Sequence, residues 1–314
     1  MHASDLMCSA IDFIEGHLRE DITVADMADA VGYSLYHFCR LFNQATHHTP
    51  YDYLMRRRLA EAARDLVQTD QRIIDIAFGY RFNSHETFSR AFKRVVGMQP
   101  SELRKQARLT GRRSAGRRTA GRWLPSRHLM PRLTRAHLQH LHKGPYLKPV
   151  LVEEPAFQIS GLMTTVRKDP DDVSELWGLL SDELDRHGEH SETGDDYGLA
   201  WYPEGWEERG YLFMIGVEAP RLDVSHTPLV VKTVPAQHYA RFVHKGTRRD
   251  LPLTLDYIYH TWLPKSGAGL DCSWVLEHYA QGFRGFRDPE SEWTIDVPIQ
   301  WAPGRDRAGL GKGG

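Results

Sequence analysis

The run Phe38-Cys39-Arg40-Leu41-Phe42, followed by Thr49-Pro50, returns fifty positions later as Phe88-Ser89-Arg90-Ala91-Phe92, followed by Gln99-Pro100. Upstream, Ala28 to Tyr33 matches Ala77 to Phe82, so the repeated unit is a helix-turn-helix. In each copy an apolar triplet (Phe38, Leu41, Phe42; Phe88, Ala91, Phe92) falls at helical spacing and buries one face, which leaves an arginine on the other. Two equivalent helices offering polar side chains point to a reader of DNA.

Working outward, the pattern predicts about seven helices. Met7, Ile11, Ile14 and Leu18 share one face of an opening helix that ends near Asp21-Ile22-Thr23. Thr23 with Asp26 resembles a capping box, so a short helix runs through Val31 to the Gly32 turn. Ser34 and Ser84 are the expected caps of the two recognition helices. Thr49-Pro50 and Pro100 open the helices behind them, because proline's missing N–H has no partner at that position anyway. The helix Tyr51 to Val67, roughly 25 Å long at 1.5 Å per residue, serves as a spacer between the copies.

Length and charge divide the rest. The chain has 314 residues, 41% hydrophobic and 11% aromatic, enough for two domains with real cores. No basic segment followed by an apolar run opens the chain. No stretch approaches the roughly 18 apolar residues of a membrane span, so no membrane partner is expected. Cys8, Cys39 and Cys272 are odd in number and far apart, which fits a reducing cytoplasm. Residues 1–110 carry 14 basic and 14 acidic groups, residues 111–148 carry 10 and none, and residues 149–314 carry 16 and 27. The balances of 0, +10 and −11 mark three pieces, and the acidic one should stay off DNA.

The stretch Asp75-Ile76-Ala77-Phe78-Gly79-Tyr80-Arg81-Phe82-Asn83-Ser84-His85-Glu86-Thr87-Phe88-Ser89-Arg90-Ala91-Phe92-Lys93 resembles the signature of AraC/XylS-type transcription regulators, within them the Rob-like group, over about residues 5–107. The resemblance implies that both recognition helices of one chain enter two adjacent major-groove segments of double-stranded DNA. Tyr36, Cys39, Arg40, Asn43 and Gln44 lie on the polar face of the first, and His85, Glu86, Ser89, Arg90 and Lys93 on that of the second. Arginine reads guanine O6 and N7 through paired hydrogen bonds, worth roughly 1–3 kcal/mol of discrimination, so Arg40 and Arg90 are the leading base readers. Glu86 suits cytosine N4 or excludes a phosphate, Lys93 and Asn43 suit the backbone, and Cys39 admits close approach. If the spacer holds the units closer than the roughly 34 Å between groove faces, the DNA bends. Two positions depart from the family pattern. His47 stands where the second copy has Gly97, which predicts a less ready left-handed turn, and Arg81 occupies the turn that Gly32 fills in the first copy.

Residues 111–146 read as a basic flexible linker, with Arg112, Arg113, Arg117, Arg118, Arg122, Arg127, Arg132 and Arg135 among Gly, Ser, Thr and Pro. It is either a solvated tether or a source of counterion-release affinity for DNA. His137, His140 and His142 lack a nearby Cys, Asp or Glu, so no metal site is expected.

Residues 147–303 hold a fainter duplication. Pro149 to Val152, Pro155-Ala156 and Trp177 correspond to Pro228 to Val231, Pro235-Ala236 and Tyr257 at a shift of about 80. Each half reads as strands, one helix (Val173 to His187; Leu251 to Leu263) and two more strands, a duplicated β-α-β-β body of the α+β class with pseudo-twofold symmetry. Together with Pro235 to Gly246, Trp262-Leu263-Pro264 and Glu277-His278-Tyr279, this resembles a GyrI-like small-molecule-binding domain. The resemblance implies an acidic side chain at the bottom of an aromatic cleft that faces lipophilic, often cationic effectors. Glu277 matches that position and shares a strand side with Val275 and Tyr279. Tyr197 and Trp201, alternating onto one side of their strand, are candidate walls, as are Trp177, Tyr239, Tyr279 and Trp262. Residues 304–314 read as a disordered tail.

The sequence therefore reads as a multidomain chain, all-α with two helix-turn-helix units at the front and α+β behind. It should be a DNA-binding transcription regulator, not an enzyme, that responds to a small effector and needs no cofactor. In Rob-like proteins activation is the usual outcome, which makes RNA polymerase an expected partner. Two other readings stay open: hydrolysis of small molecules with Glu277 as base, and an architectural DNA binder without an effector.

Overall fold

The computed structural model describes residues 3–113, 129–142, 147–166, 172–186, 195–202, 210–218, 228–271, 273–280 and 283–301. By internal contacts it divides into one unit of Met1–Lys143 with Leu255–Lys265, and a second of Gly144–Thr254 with Ser266–Gly314. No described helix is long and apolar enough to cross a membrane.

The first unit begins with seven helices: α1 Ala3–Gly16, α2 Val24–Asp29, α3 Leu35–Thr46, α4 Pro50–Gln68, α5 Ile73–Gly79, α6 His85–Val96 and α7 Pro100–Arg113. Local chemistry fixes most of their starts. The Thr23 hydroxyl accepts the Asp26 N–H while Asp26 Oδ2 accepts the Thr23 N–H at 2.7 Å, a complete capping box. Thr49 caps α4 ahead of Pro50, and Ser84 caps α6 through the Thr87 N–H at 3.1 Å. Ser34, the expected counterpart, precedes α3 with extended backbone but makes no side-chain cap hydrogen bond.

Helix α4 belongs to two cores at once. Tyr53 and Leu54 pack with Met7, Ile11, Ile14, Phe38 and Phe42, whereas Leu59, Ala63, Leu66 and Val67 pack with Ile76, Phe88, Phe92 and Leu103. Nineteen residues at 1.5 Å rise make a rod of about 28 Å whose ends each anchor one helix-turn-helix. Two arginines are buried along it. Arg57 donates to Glu15, Glu61 and the Met130 carbonyl, and Arg58 to the carbonyls of Leu18 and Glu20, so neither charge is left without partners.

The segment expected to be a basic tether is partly built into this unit. Leu129, Met130, Leu133, Leu138 and Leu141 are buried, and helix α8, Arg135–Leu141, starts at a Thr134 cap that His137 reciprocates. Widely spaced apolar residues give little periodicity, yet Leu129, Met130, Leu133 and Leu138 join the two cores of the helices. The arginines at 117, 118, 122 and 127, like the tail 304–314, lie outside the described residues.

In the second unit the strands are β1 Val150–Glu154, β2 Phe157–Val166, β3 Asp196–Trp201, β4 Tyr211–Glu218, β5 Val230–Val234, β6 Gln237–Lys245, β7 Ala268–Leu270, β8 Trp274–Tyr279 and β9 Glu292–Trp301. Helix α9, Asp172–Arg186, packs on β2 and β4, and helix α10, Leu251–Tyr257, begins in this unit and continues through a π-helical turn, Ile258–Trp262, in the segment from Leu255 that counts with the first. The strands form one antiparallel sheet in the order β1-β6-β9-β8-β3-β4-β2-β5, with β7 paired to β9. Exchanging β1 with β5, β2 with β6, β3 with β8 and β4 with β9 reproduces that order in reverse. The duplication is thus a twofold relation centred between β3 and β8, and each half lends its first strand to the far edge of the other. Gly161 and Gly216 face each other in register, where a Cβ on either would collide with the opposite backbone, so β2 and β4 approach closely there.

Candidate functional site

The two recognition helices, α3 and α6, carry the same burial pattern position for position. Phe38, Phe42 and Thr46 are buried on one, and Phe88, Phe92 and Val96 on the other. Tyr36 (80% exposed), Arg40, Asn43 and Gln44 face outward on the first helix, and His85, Glu86, Arg90 and Lys93 on the second. Cys39 and Ser89, at equivalent places, are half-buried. Arg94 is exposed at the position equivalent to Gln44 and adds a cation to this face; the fifty-residue shift alone would have found it.

Turns frame each helix. The backbone at Gly32 (φ 71°) and Arg81 (φ 64°) is left-handed at matched places ahead of the two helices, as it is at His47 (φ 57°) and Gly97 (φ 82°) behind them. His47 therefore makes the turn that its side chain was expected to hinder, at the steric cost glycine avoids. Glu86 is less free than its exposure implies. Its carboxylate is held below the usual range by its own backbone N–H, then by the Ser84 hydroxyl, so it helps to close the N-terminus of α6.

In the second unit strand parity sorts the expected cleft residues onto two faces. Tyr197 is paired with His278, and Gly198 with Glu277. Glu277 and Tyr279 therefore share a face with Gly198, and Trp177 of α9 meets Tyr279 edge-on at 5.4 Å. Tyr197 stacks on His278 at 4.8 Å on the opposite face, where Trp201 and Tyr239 also pack against Trp274 and Leu276. Lys232 lies over the Trp201 ring at 4.6 Å. Trp262 lies in the segment counted with the first unit. Of the seven predicted residues, the structure brings together Glu277, Tyr279 and Trp177.

That face holds an aromatic cluster in which Phe283 and Phe286 surround Tyr279 at 4.8 and 5.4 Å, bordering an open recess of about 410 Å³. Against that cluster lies a residue that sequence reasoning missed. Arg248, 2% exposed, donates through Nη1 to Glu277 Oε2, and Glu277, 1% exposed, also accepts from the Tyr279 hydroxyl at 2.8 Å. The guanidinium carbon sits 4.7 Å from the Phe213 ring centre and 5.2 Å from that of Phe286. Burial opposes the Arg248 charge, but Glu277 and then Tyr279 and Tyr211 outweigh it and raise its pKa well above the ordinary value. The Tyr279 hydroxyl is pushed up too, by burial and then by Glu277. Gly198 gives this pair room, since a Cβ there would lie 2.6 Å from the Tyr279 hydroxyl.

Comparisons with known proteins agree with this division. Residues 27–106 match a helix-turn-helix domain family, and residues 147–300 match the GyrI-like small molecule binding domain. Regulatory protein SoxS of Salmonella typhimurium is 34% identical over 104 residues, which are 33% of this chain and 97% of SoxS. The chain belongs to the AraC/XylS family of transcription regulators. Other relatives are matched only in part. The transcriptional regulator Rob of Salmonella typhimurium is 35% identical over 107 residues, 34% of this chain and 37% of Rob. An HTH-type regulator of Bacillus subtilis, YbfP, is 39% identical over 104 residues, 33% and 35% of the two chains. The match thus spans about a third of the length of these two relatives. It joins their kind of DNA-binding unit to a GyrI-like sheet domain in one AraC/XylS chain.

Proposed function

We propose that this chain is a sequence-specific DNA-binding transcription regulator of the activating kind, with RNA polymerase as partner and a small lipophilic effector received by the sheet domain. The observation that carries this reading is the matched exposure of α3 and α6, which offers Arg40 and Arg90 from equivalent positions of two equivalent helices. An isolated exposed arginine is ordinary surface; the same residue kept at both copies of a repeat supports a shared role. The two Phe pairs beneath hold each helix against its core, so the arginines project from rigid supports. The aromatic recess beside Tyr279 supports the effector role.

Recovering genomic fragments on the purified protein tests the reading. The expected fragments share a short site over two adjacent major-groove segments, and adding the protein to a transcription reaction with RNA polymerase raises transcript from them. Fragments without a common site would point to an architectural binder, and a fall in transcript to repression. Hydrolysis with Glu277 as base is disfavoured on geometric grounds, because Glu277 is 1% exposed and its Oε2 already accepts from Arg248 and the Tyr279 hydroxyl.

A further inference from the structure

Resting on the reading of the Glu277 face as the effector cleft, we propose that its effector is a lipophilic aromatic molecule bearing an oxygen acceptor, carbonyl or carboxylate, and that Arg248 receives that oxygen. An organic cation is the ligand that a bare buried glutamate among aromatic rings would favour. Here the chain supplies its own cation. Arg248 occupies Glu277 through Nη1 and lies over the rings of Phe213 and Phe286, so the carboxylate charge and two aromatic faces are already engaged. A second cation entering the cleft would find the glutamate charge already balanced by Arg248.

What the site leaves open is of the opposite kind. Among the described residues Arg248 Nη2 is buried with no hydrogen-bond partner, and so are the indole Nε1 atoms of Trp177 and Trp293, all three within or beside the Tyr279 aromatic cluster. Each is an N–H donor. Buried donors left unmatched are costly, and a ligand oxygen that reaches them recovers that cost in the bound state. Trp177 also lines the recess, so one of the open donors stands at its wall, and Arg248 lies against the ring of Phe286, another wall residue. The planar guanidinium, with Nη1 committed to Glu277, presents Nη2 to an acceptor in its own plane. The ring-rich walls supply the apolar part of the recognition.

The test titrates the full chain with three naphthalene derivatives of equal size, the carboxylate, the carboxamide and the aminomethyl cation, followed by calorimetry. The carboxylate and carboxamide are expected to bind at least tenfold more tightly than the cation. In Arg248→Met the order should invert, because Glu277 is released to the cation. Should Arg248→Met fail to fold, the double variant Arg248→Met with Glu277→Gln removes both charges and should bind the carboxylate and the cation about equally. Trp177→Phe keeps the ring and loses the donor, so it should weaken the two acceptor ligands several-fold and leave the cation unchanged. Tighter binding of the cation to the unaltered chain overturns the proposal while the effector reading stands. No binding by any of the three refutes both.

Discussion

The two units of this chain are each built by duplication, and the copies have kept different things. In the helical unit the repeat is visible residue by residue: Phe38 and Phe88, Arg40 and Arg90, Phe42 and Phe92 keep type, burial and position. In the sheet unit the repeat survives in the strand order, whose reversal maps each half onto the other, but little in the side chains. The difference follows from what each copy must do. On the proposed reading each recognition helix would face its own stretch of duplex, so both surfaces would stay under the same demand. In the sheet unit the buried Arg248–Glu277 pair comes wholly from the second half, so the halves need not keep the same side chains.

The largest effects should come from breaking the equal partners in the helical unit. Phe42→Ala and Phe92→Ala each empty a fully buried site and are predicted to cost about 3–5 kcal/mol. The comparison holds if the urea midpoints of the two variants fall by similar amounts; one large loss beside one negligible loss would mean that the copies are not equivalent supports. Next, Gly161→Ala puts a methyl group against the Ile215 carbonyl and is expected to cost about 1–3 kcal/mol, felt in the sheet unit alone. Near-ultraviolet dichroism of the sheet's tryptophans should melt early while DNA binding persists, and simultaneous loss of both would contradict independent units.

The smallest effect is a pH dependence that belongs to the helical unit. Burial works against the Asp52 carboxylate, but the His48 hydrogen bond and the Arg56 charge outweigh it and hold its pKa at about 2, below the ordinary 3.8. A pKa lowered on folding adds stability that is full above 3.8 and disappears as pH falls toward 2. Urea midpoints between pH 5 and 2 should therefore decline less steeply in Asp52→Asn than in the parent. Identical slopes would remove Asp52 from the account.

Much of the helical unit was legible because its determinants are local. Caps at Thr23, Thr49 and Ser84, the apolar triplets and the proline starts all act within one turn of the residues that reveal them. The sheet's duplicated strands and its α9 could be read in the same way. The cleft could not, for two reasons. Tyr197 and Trp201 do share a side of β3, but whether that side is the one Glu277 faces depends on the β3–β8 register, a non-local fact. Arg248 stands next to Arg249 in an unremarkable Arg-Arg pair, and only the turn between β6 and α10 buries the first and exposes the second.

Base selection by single-arginine variants tests the account of two reading helices on one chain most directly. Randomised duplexes are to be selected on the parent, Arg40→Ala and Arg90→Ala at matched salt, with chains per duplex counted. The account predicts one chain per site, and a loss of preference of about 1–3 kcal/mol confined to one groove segment for Arg40→Ala and to the adjacent segment for Arg90→Ala. Loss at the same segment for both variants, or unchanged preference in both, would contradict it.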